Sequence, residues 1–372
     1  MSMDANAVMA KITEYTNIPP ITMAYEALTI LLSATTSYIR TQSYKELVQS
    51  SPDLVFDDII IPSLQLVPSH IVFHPWTLWT STFVETSPFQ FISGLVIVYF
   101  GITFLESQWN PTSGNDDSMD DISQYLNSQK PVSETLKFTT VVITVSNLTI
   151  LLLVSLINIL SGTAELLNRP LQYGFFIMVL PISVVAKQLI PEANIKVLSI
   201  FKFRLKRLSL VLLASSSALS LGRRSLSPFL PAFVSFLVSW YYLRYIQITP
   251  AMNADILPTS TSSNPSIPPQ SSTNIRGDPS DTFALVEFFP EMIKPTLRPI
   301  FDGFYQVSVL LGIVRPWNDD DVDIGNLRSN LRFSGASAAT TKTTVNQADS
   351  SNDERRKQIA LKVLQQSVER QD

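Results

Sequence analysis

The hydrophobic residues of this chain are gathered into six long blocks, separated by segments that are polar or rich in proline. The blocks are Pro20–Ile39, Phe89–Leu105, Leu136–Leu160, Leu171–Ile190, Leu208–Gly222 and Phe229–Ile246. A helix that crosses the hydrocarbon core needs about 20 predominantly apolar residues, so the pattern predicts six transmembrane helices. The first block is rich in polar residues and the fifth is short and rich in serine, so these two meet the requirement less fully. We therefore predict an all-α, polytopic membrane protein with a six-span helical bundle and a cytosolic C-terminal tail.

The loop between the fourth and fifth blocks indicates the orientation of the chain. The basic residues from the end of the fourth block to the fifth are Lys187, Lys196, Lys202, Arg204, Lys206 and Arg207. The same stretch contains the single acid Glu192. Basic loops are retained in the cytosol, so we predict that this loop and both termini are cytosolic. The acidic loop 40–87 then faces the lumen.

Within that loop, the segment from Leu54 to Trp79 is apolar but interrupted by prolines. It is too broken to span the bilayer and too apolar to remain in water. We predict an interfacial segment that lies on the membrane, with Trp76 and Trp79 at the level of the lipid headgroups.

The composition changes after the sixth block, and the change divides the tail into four parts. The predicted domains are an N-terminal cytosolic segment 1–18, a membrane domain 19–248, a flexible linker 249–277, an amphipathic block 278–317, a disordered acidic and Ser/Thr-rich segment 318–351, and a C-terminal helix 352–372. Apolar residues recur at helical spacing from Met292 to Val314, with Pro295 and Pro299 near the start, which predicts an amphipathic helix. The bilayer surface, the cytosolic ends of the spans or a partner must cover its apolar face, and the sequence leaves these three open.

Charge and cysteine content exclude several classes of function. The net charge of −4 gives no reason to expect a nucleic-acid partner, and the absence of cysteine excludes disulfides, thiolate catalysis and cysteine–zinc sites. His70 and His74 are spaced i, i+4, but the neighbouring prolines disfavour a regular helix and no third ligand is evident. We therefore expect two interfacial or packing histidines, no metal and no cofactor.

Six spans with a large first loop suggest the plan of the rhomboid intramembrane proteases. That chemistry needs a serine at the start of the fourth span and a histidine in the sixth as its general base. The fourth block keeps Gly174 but offers no serine beside it, and the sixth block contains no histidine. The sequence therefore predicts a protein that is not an enzyme.

Polar and small residues inside the blocks favour packing over transport. Asn147 and Asn158 are suited to hydrogen bonds between helices, while Glu26 and Lys187 lie near the ends of their blocks, where long side chains reach the headgroups. A proton or ion path needs more acidic residues at mid-membrane than these. Gly94 and Gly101 share one helix face and predict close helix packing.

Several segments carry a family resemblance. They are Asp281-Thr282-Phe283 and Phe288-Phe289-Pro290-Glu291 behind the last block, Ser239-Trp240-Tyr241-Tyr242-Leu243-Arg244-Tyr245 at its end, Glu106 and Trp109 at the end of the second block, and Asp353–Leu364 near the C-terminus. Together they resemble the eukaryotic rhomboid-like Golgi membrane proteins typified by transmembrane protein 115, a family similar to rhomboids that have lost the protease. The family usually continues the second-span motif as W-G-x-x-E, whereas Asn110 and Pro111 follow Trp109 here, so no second glutamate is carried over.

The resemblance implies residence in Golgi membranes and a part in Golgi-to-endoplasmic-reticulum retrograde transport. The implied partners are the lipid bilayer and cytosolic tethering or coat proteins, such as the conserved oligomeric Golgi complex; membrane clients and self-association remain open. The candidate partner-binding residues are Asp281, Thr282, Phe283, Phe288, Phe289, Pro290 and Glu291. Structural motif residues of the membrane domain are Glu106, Trp109, Gly174, Trp240, Tyr242 and Arg244. The alternatives are a client-binding or quality-control pseudoprotease and, less favoured, an active intramembrane protease or a small-solute transporter.

Overall fold

The structure is a computed structural model that describes residues 18–49, 55–56, 59–109, 134–162, 165–171, 173–190, 194–197, 201–223, 225–249, 275–312, 314–318, 321–326 and 329. Every predicted hydrophobic block forms a helix. These helices are α1 (Pro20–Val48), α2 (Pro88–Trp109), α3 (Glu134–Ser161), α4 (Gly174–Leu189), α5 (Leu205–Arg223) and α6 (Phe229–Ile246). A further helix, α7 (Lys294–Leu310), follows in the tail. The prediction of an all-α polytopic membrane protein is confirmed.

The helices differ in how well they suit a bilayer. Within the described ranges, α2, α3 and α6 are long and apolar enough to cross a membrane, and α4 is a shorter apolar helix. Both α1 and α5 form at the predicted places but are not among these apolar helices, and both contain many polar residues. The count of six spans stays a prediction.

Short elements fill the connections. They comprise helical turns at Pro68–His70, Thr77–Thr80, Ser81–Phe83, Glu165–Asn168, Asp281–Phe283 and Leu285–Phe288, and the strands β1 (Asn194–Val197), β2 (Phe201–Arg204), β3 (Ile248–Thr249) and β4 (Ile275–Arg276). Strand β1 pairs antiparallel with β2, with Asn194 opposite Arg204. Strand β3 pairs antiparallel with β4, so the two ends of the predicted linker lie side by side.

The glycines of α2 allow the close packing that their spacing predicts. A Cβ atom at Gly101 would collide with the side chain of Ile182 on α4, and one at Gly94 would lie 3.0 Å from the Glu85 carboxylate. Gly101 belongs to a π-helical turn at Val98–Ile102, a widening that is frequent at functional positions. The predicted close packing is confirmed, because a larger residue at either position would require the Ile182 or Glu85 side chain to move.

The core lies between the helices and is both aromatic and aliphatic. Its largest fully buried side chains are Phe83, Phe138, Phe175, Phe236, Leu66, Ile102, Leu105, Ile143, Ile150, Ile177, Met178 and Leu243. Some polar side chains inside this core bond across elements, as Asn147 does: its amide donates to Leu78 O at 2.8 Å and to Thr82 Oγ1 at 3.2 Å. Asn147 therefore binds the segment before α2 to α3, as predicted for a structural polar residue.

The segment before α2 is only partly placed as predicted. Trp76 is 52% exposed, but Trp79 points into the core, with its ring 4.8 Å from Phe83 and 6.4 Å from Tyr25. The prediction of Trp79 at headgroup level is wrong, because the short helix Thr77–Thr80 packs against α3 and turns this ring inward. Val72 and Phe73 are strongly exposed, so together with Trp76 they remain available to a membrane surface.

Candidate docking interface at the end of the sixth helix

The tail returns to the membrane domain at the end of α6. Strands β3 and β4 bring Gly277 next to α6, where its N–H donates to Gln247 O at 2.6 Å. Gly277 has φ of +81°, and a Cβ atom there would collide with the carbonyl of Arg244. A glycine is required at this turn, because only glycine tolerates both the left-handed backbone and the close approach.

Arg244 lies at the centre of the junction. Its side chain is buried and donates to Asp278 O at 2.6 Å and to Ser280 O at 2.5 Å, and its own carbonyl accepts from Asp278 N at 3.1 Å. The guanidinium also lies over the ring of Trp317, 4.6 Å from its centroid. A buried guanidinium is tolerated only where its donors are satisfied, so these contacts fix residues 278–280 to α6.

Asp278 closes the same network from the tail side. It is 7% exposed, and its carboxylate accepts from Gln188 Nε2 of α4 at 3.0 Å and from Ser280 N at 3.1 Å. Sequence reasoning missed Asp278 and Gln188 as site residues. The sequence did offer a signal: Asp278 begins the tail block, and Arg244, at the end of the sixth hydrophobic block, has no acidic residue near it in the sequence.

Aromatic side chains extend the contact beyond the polar network. The ring of Phe288 packs 5.3 Å from Phe236 of α6 and 5.8 Å from Phe283, and the indole of Trp240 donates to Phe283 O at 3.1 Å. Phe283, Leu285, Val286 and Phe288 are all buried. The segment Asp281–Phe288 therefore packs against the helical bundle with its apolar side.

Lys187 lies beneath this segment and does not reach the headgroups. It is 6% exposed, and its ammonium lies 3.2 Å from the centroid of the Phe288 ring. The prediction that Lys187 extends toward the lipid headgroups is therefore wrong. The docked tail covers the end of α4, so an aromatic face contacts the cation there instead of water.

The seven candidate partner-binding residues differ in exposure and fall into three groups. Phe283 and Phe288 are buried against the bundle, which excludes them from contact with a partner while the tail is docked. Burial of these rings removes apolar area from water and favours the docked arrangement, and the partner-binding role of all seven residues stays a prediction. Phe289 is half-buried, 5.9 Å from Phe301 of α7. The exposed members are Asp281, Thr282, Pro290 and Glu291.

A short helical segment, 321–326, packs on the exposed side of the docked block. The Asn326 amide donates to the Asp281 carboxylate at 3.0 Å and accepts from Asp281 N at 2.9 Å, and Thr282 shares a hydrogen bond of 2.7 Å with Ser329. Residues 321–326, near the start of the segment 318–351 that the sequence predicts to be disordered, are helical, and most of the remaining segment lies outside the described residues. The acidic run there suits a helix start, since Asp321 accepts from Asn318 N at 3.2 Å. The predicted C-terminal helix 352–372 lies outside the described residues.

Three stacked rings attach α7 to α6. Tyr245 lies 5.2 Å from Trp317 and 6.1 Å from Tyr305, and these two rings lie 5.9 Å apart, all with small interplanar angles. Helix α7 therefore has a defined position next to the end of α6. The predicted helix over Met292–Val314 is confirmed, although it begins at Lys294 because the prolines occupy its first turns.

The structural motif residues of α2 lie near the same end of the bundle. The Glu106 carboxylate accepts from Ile21 N at 3.1 Å, and from Thr22 N and Thr22 Oγ1, both at 2.8 Å. It acts as a cap for α1, whose own N-cap, Pro19, has no side-chain hydrogen bond. A carboxylate from one helix therefore stabilises the start of another through its free N–H groups and dipole.

The other motif aromatics connect α2, α3 and α6. Trp109 packs edge-on against Phe138 at 5.2 Å, and Phe138 packs in the same way against Tyr242 at 5.5 Å. The Tyr242 hydroxyl then donates to the Glu134 carboxylate at 3.0 Å. This row of contacts holds the start of α3 against the end of α6.

The start of α4, where a rhomboid protease would need its serine, holds a buried carboxylate instead. Gly174 has φ of +55°, and a Cβ atom there would collide with the Glu85 carboxylate. Phe175 N donates to Glu85 Oε1 at 2.9 Å, and Glu85 N donates to Ser33 Oγ at 3.0 Å. Burial raises the pKa of Glu85 to about 7, against the opposing effect of the Phe175 hydrogen bond.

The histidines do not supply a base to this place. His70 is exposed, and His74 packs edge-on against Trp76 with ring centroids 5.2 Å apart. Over the described part of the chain, no group of three or more His, Cys, Asp or Glu residues is arranged to hold a metal ion. The arrangement at the start of α4 offers a proton-binding carboxylate next to a helix start.

Comparison with known proteins agrees with this architecture. The model of the eukaryotic integral membrane protein family DUF1751 matches residues 24–113 and 124–370. The transmembrane protein 115 homolog of Saccharomyces cerevisiae is 31% identical over 358 residues, covering 94% of this chain and 93% of the yeast protein. Rhomboid-like protein 19 of Arabidopsis thaliana is 28% identical over 247 residues, covering 66% of each chain. No solved structure matches the chain. The chain belongs to the DUF1751 family of eukaryotic integral membrane proteins, as its resemblance to the transmembrane protein 115 family predicts.

Proposed function

We propose that this protein is a non-catalytic adaptor of the Golgi membrane that acts in Golgi-to-endoplasmic-reticulum retrograde transport. It recruits cytosolic tethering proteins, with the conserved oligomeric Golgi complex as the expected class of partner. The observation that carries the proposal is the docked tail block, which buries Phe283 and Phe288 against the bundle and leaves Asp281, Pro290 and Glu291 exposed. Family membership supports the membrane setting.

Docking gives recruitment a physical basis. A mobile tail loses conformational entropy when it binds, whereas a segment that is already fixed does not, so its exposed groups bind at a lower cost. The contacts of Arg244 and Phe288 fix the block at the end of α6, and the exposed acidic groups of Asp281 and Glu291 then occupy defined positions. Such a fixed acidic edge suits a basic surface on a soluble partner.

The role without catalysis rests on the start of α4. The Glu85 carboxylate occupies the place next to Gly174, and the fourth block has no serine there to act as a nucleophile. Glu85 supplies an acid and no acyl-accepting hydroxyl, so the chemistry of the rhomboid proteases has no starting point at this position. Labelling of the purified protein by a serine-reactive phosphonate would overturn this part of the proposal.

The recruitment test compares three forms of the full-length protein and one truncation, each purified with an affinity tag in mild detergent and analysed by mass spectrometry. The forms are the unaltered chain, the variant Asp281→Ala/Glu291→Ala, the matched control Asp302→Ala/Gln306→Ala on α7, and the chain ending at Gln247. We expect Golgi tethering subunits with the unaltered chain and the control, and their loss from the other two. Equal recovery of the same partners from all four would place the function in the membrane helices.

Orientation is tested separately. Epitope tags at the two termini should be accessible in cells whose plasma membrane alone is permeabilised, because both ends are proposed to be cytosolic. A tag inserted after Val72 should stay protected until the internal membranes are also opened. Protection of the C-terminal tag would contradict the proposal, since cytosolic partners could not reach the tail.

A further inference from the structure

Helix α7 carries an apolar stripe that the described part of the protein leaves exposed. Ile293 just before the helix, Ile300, Phe304 and Val307 within it, and Leu311 just after it recur at intervals that place them on one face. Their exposed fractions range from 46% at Ile293 to 70% at Phe304. None of the residues of α7 is buried. Exposed apolar residues that share one face form a patch of the kind that marks an interaction site.

The docked tail block and the bundle contact a different side of the helix. Phe301 packs against Phe289, and Tyr305 stacks on Tyr245. These two residues lie roughly a quarter turn away from the stripe at 3.6 residues per turn. The docking that fixes α7 therefore does not use the stripe and does not cover it.

The polar residues occupy the third side. Arg298, Asp302 and Gln306 lie opposite the stripe at helical spacing, and all three are exposed. A helix with one side on a bundle, one apolar side and one polar side fits a boundary between two media. The polar side suits water, and the stripe suits hydrocarbon.

The position of α7 relative to α6 identifies that boundary. Tyr245 lies within the last turn of α6, the most C-terminal of the three helices that are long and apolar enough to span. Tyr305 of α7 and Trp317 stack directly on Tyr245, so α7 lies at the level where α6 reaches the membrane surface. Tyrosine and tryptophan are enriched at this level of membrane proteins.

We propose that α7 lies in the plane of the bilayer, with the stripe Ile293–Leu311 inserted at the boundary between headgroups and acyl chains. In this arrangement, the stripe is covered by lipid of the membrane in which α6 already anchors the protein. Arg315 is exposed just beyond the end of α7, and a cation there favours anionic headgroups. This inference does not depend on the proposed recruitment function, and it leaves Asp281 and Glu291 available to a soluble partner.

The absence of cysteine makes a direct test practicable. Single cysteines replace Ile300 or Phe304 on the stripe, or Asp302 or Gln306 on the opposite side, in the full-length protein. Each is labelled with an environment-sensitive fluorophore and reconstituted as one copy per lipid nanodisc of phosphatidylcholine and phosphatidylserine. Because both sets of positions are exposed among the residues that the structure describes, a difference between them reports on what covers the stripe in the nanodisc.

At positions 300 and 304, we expect strong quenching by spin labels on lipid acyl chains and several-fold weaker quenching by iodide in solution than at 302 and 306. Equal iodide quenching at 304 and 306 would overturn the proposal, since the stripe would then be in water. Protection at 300 and 304 without quenching from the acyl chains would also overturn it, because another part of the protein would then cover the stripe. The use of two stripe positions guards against a single variant that fails to fold.

Discussion

Each end of the helical bundle buries a carboxylate, but the groups that surround the two carboxylates differ. At the end of α6, Asp278 accepts hydrogen bonds from Gln188 and Ser280 and lies within the network of the Arg244 guanidinium. At the start of α4, Glu85 accepts a bond from the Phe175 N–H, and burial raises the pKa of Glu85 to about 7. The first site is held by charge and many hydrogen bonds, whereas the second is sensitive to pH.

The largest effect is expected from Arg244→Ala at the charged site. The change leaves the carbonyls of Asp278 and Ser280 and the nearby carboxylate buried without their cation, which costs about 4 kcal/mol in the free energy of unfolding or tail release. Limited proteolysis in nanodiscs should therefore cut residues 276–317 much faster. The matched control is Arg298→Ala, whose exposed side chain should leave the cleavage rate unchanged.

A somewhat smaller effect is expected from Phe288→Ala. The substitution removes a buried ring that packs on Phe236 and Lys187, at a cost of about 3 kcal/mol. Thermal unfolding and tail proteolysis should both shift. Phe304→Ala alters an exposed ring, so the two variants should differ clearly; equal shifts would mean that Phe288 is not docked.

At the other end, Glu85→Gln should change how stability depends on pH. In the folded protein the pKa of Glu85 is raised from 4.5 to about 7, so the native protein binds the Glu85 proton more tightly than the unfolded chain does. The stabilisation that this tighter proton binding provides is fully present below the pKa of Glu85 in the unfolded chain, and it is lost as pH rises through about 7. It amounts to up to about 3 kcal/mol, at about 1.4 kcal/mol for each pKa unit.

The measurement for Glu85 is the unfolding temperature of the unaltered protein and of Glu85→Gln at pH 5 and pH 8. The unaltered protein should lose more stability than the variant between these values, because an amide does not titrate. The control Asp281→Asn changes an exposed carboxylate and should follow the unaltered protein. Identical pH dependence in all three would rule out a buried, neutral Glu85.

The smallest effect belongs to the ring stack. Trp317→Leu removes stacking on Tyr245 and Tyr305 and the contact with the Arg244 guanidinium, which together contribute about 1 to 2 kcal/mol. Helix α7 should loosen while the Asp281–Phe288 segment stays docked. Faster hydrogen exchange confined to α7 would show this, and loss of protection in both segments would mean that the stack also holds the block.

Local patterns predicted most of the architecture. Long apolar blocks are sufficient to place α1 to α6, and the regular spacing of Ile300, Phe304 and Val307 is sufficient to place α7. The spacing of Gly94 and Gly101 likewise predicts close packing. In each case, the residues that form the pattern lie within a few turns of the same helix, so their spacing alone predicts the structural feature.

The docking site could not be predicted in the same way. Arg244 and Asp278 meet across 34 positions of the sequence, and their pairing depends on the β3–β4 ribbon, for which the linker composition gives no signal. Lys187 and Trp79 were placed wrongly for the same reason. Each lies next to a segment from elsewhere in the chain, so the direction of its side chain is a tertiary property.

The central claim, that the tail is docked on the bundle, is tested most directly by hydrogen–deuterium exchange of the full-length protein in nanodiscs. We predict that the amides of residues 277–289 exchange slowly, because Gly277, Asp278, Phe283 and Phe289 donate hydrogen bonds within the junction, and that Arg244→Ala removes this protection. Exchange of residues 277–289 at the rate of an unstructured peptide, unchanged by Arg244→Ala, would contradict the account.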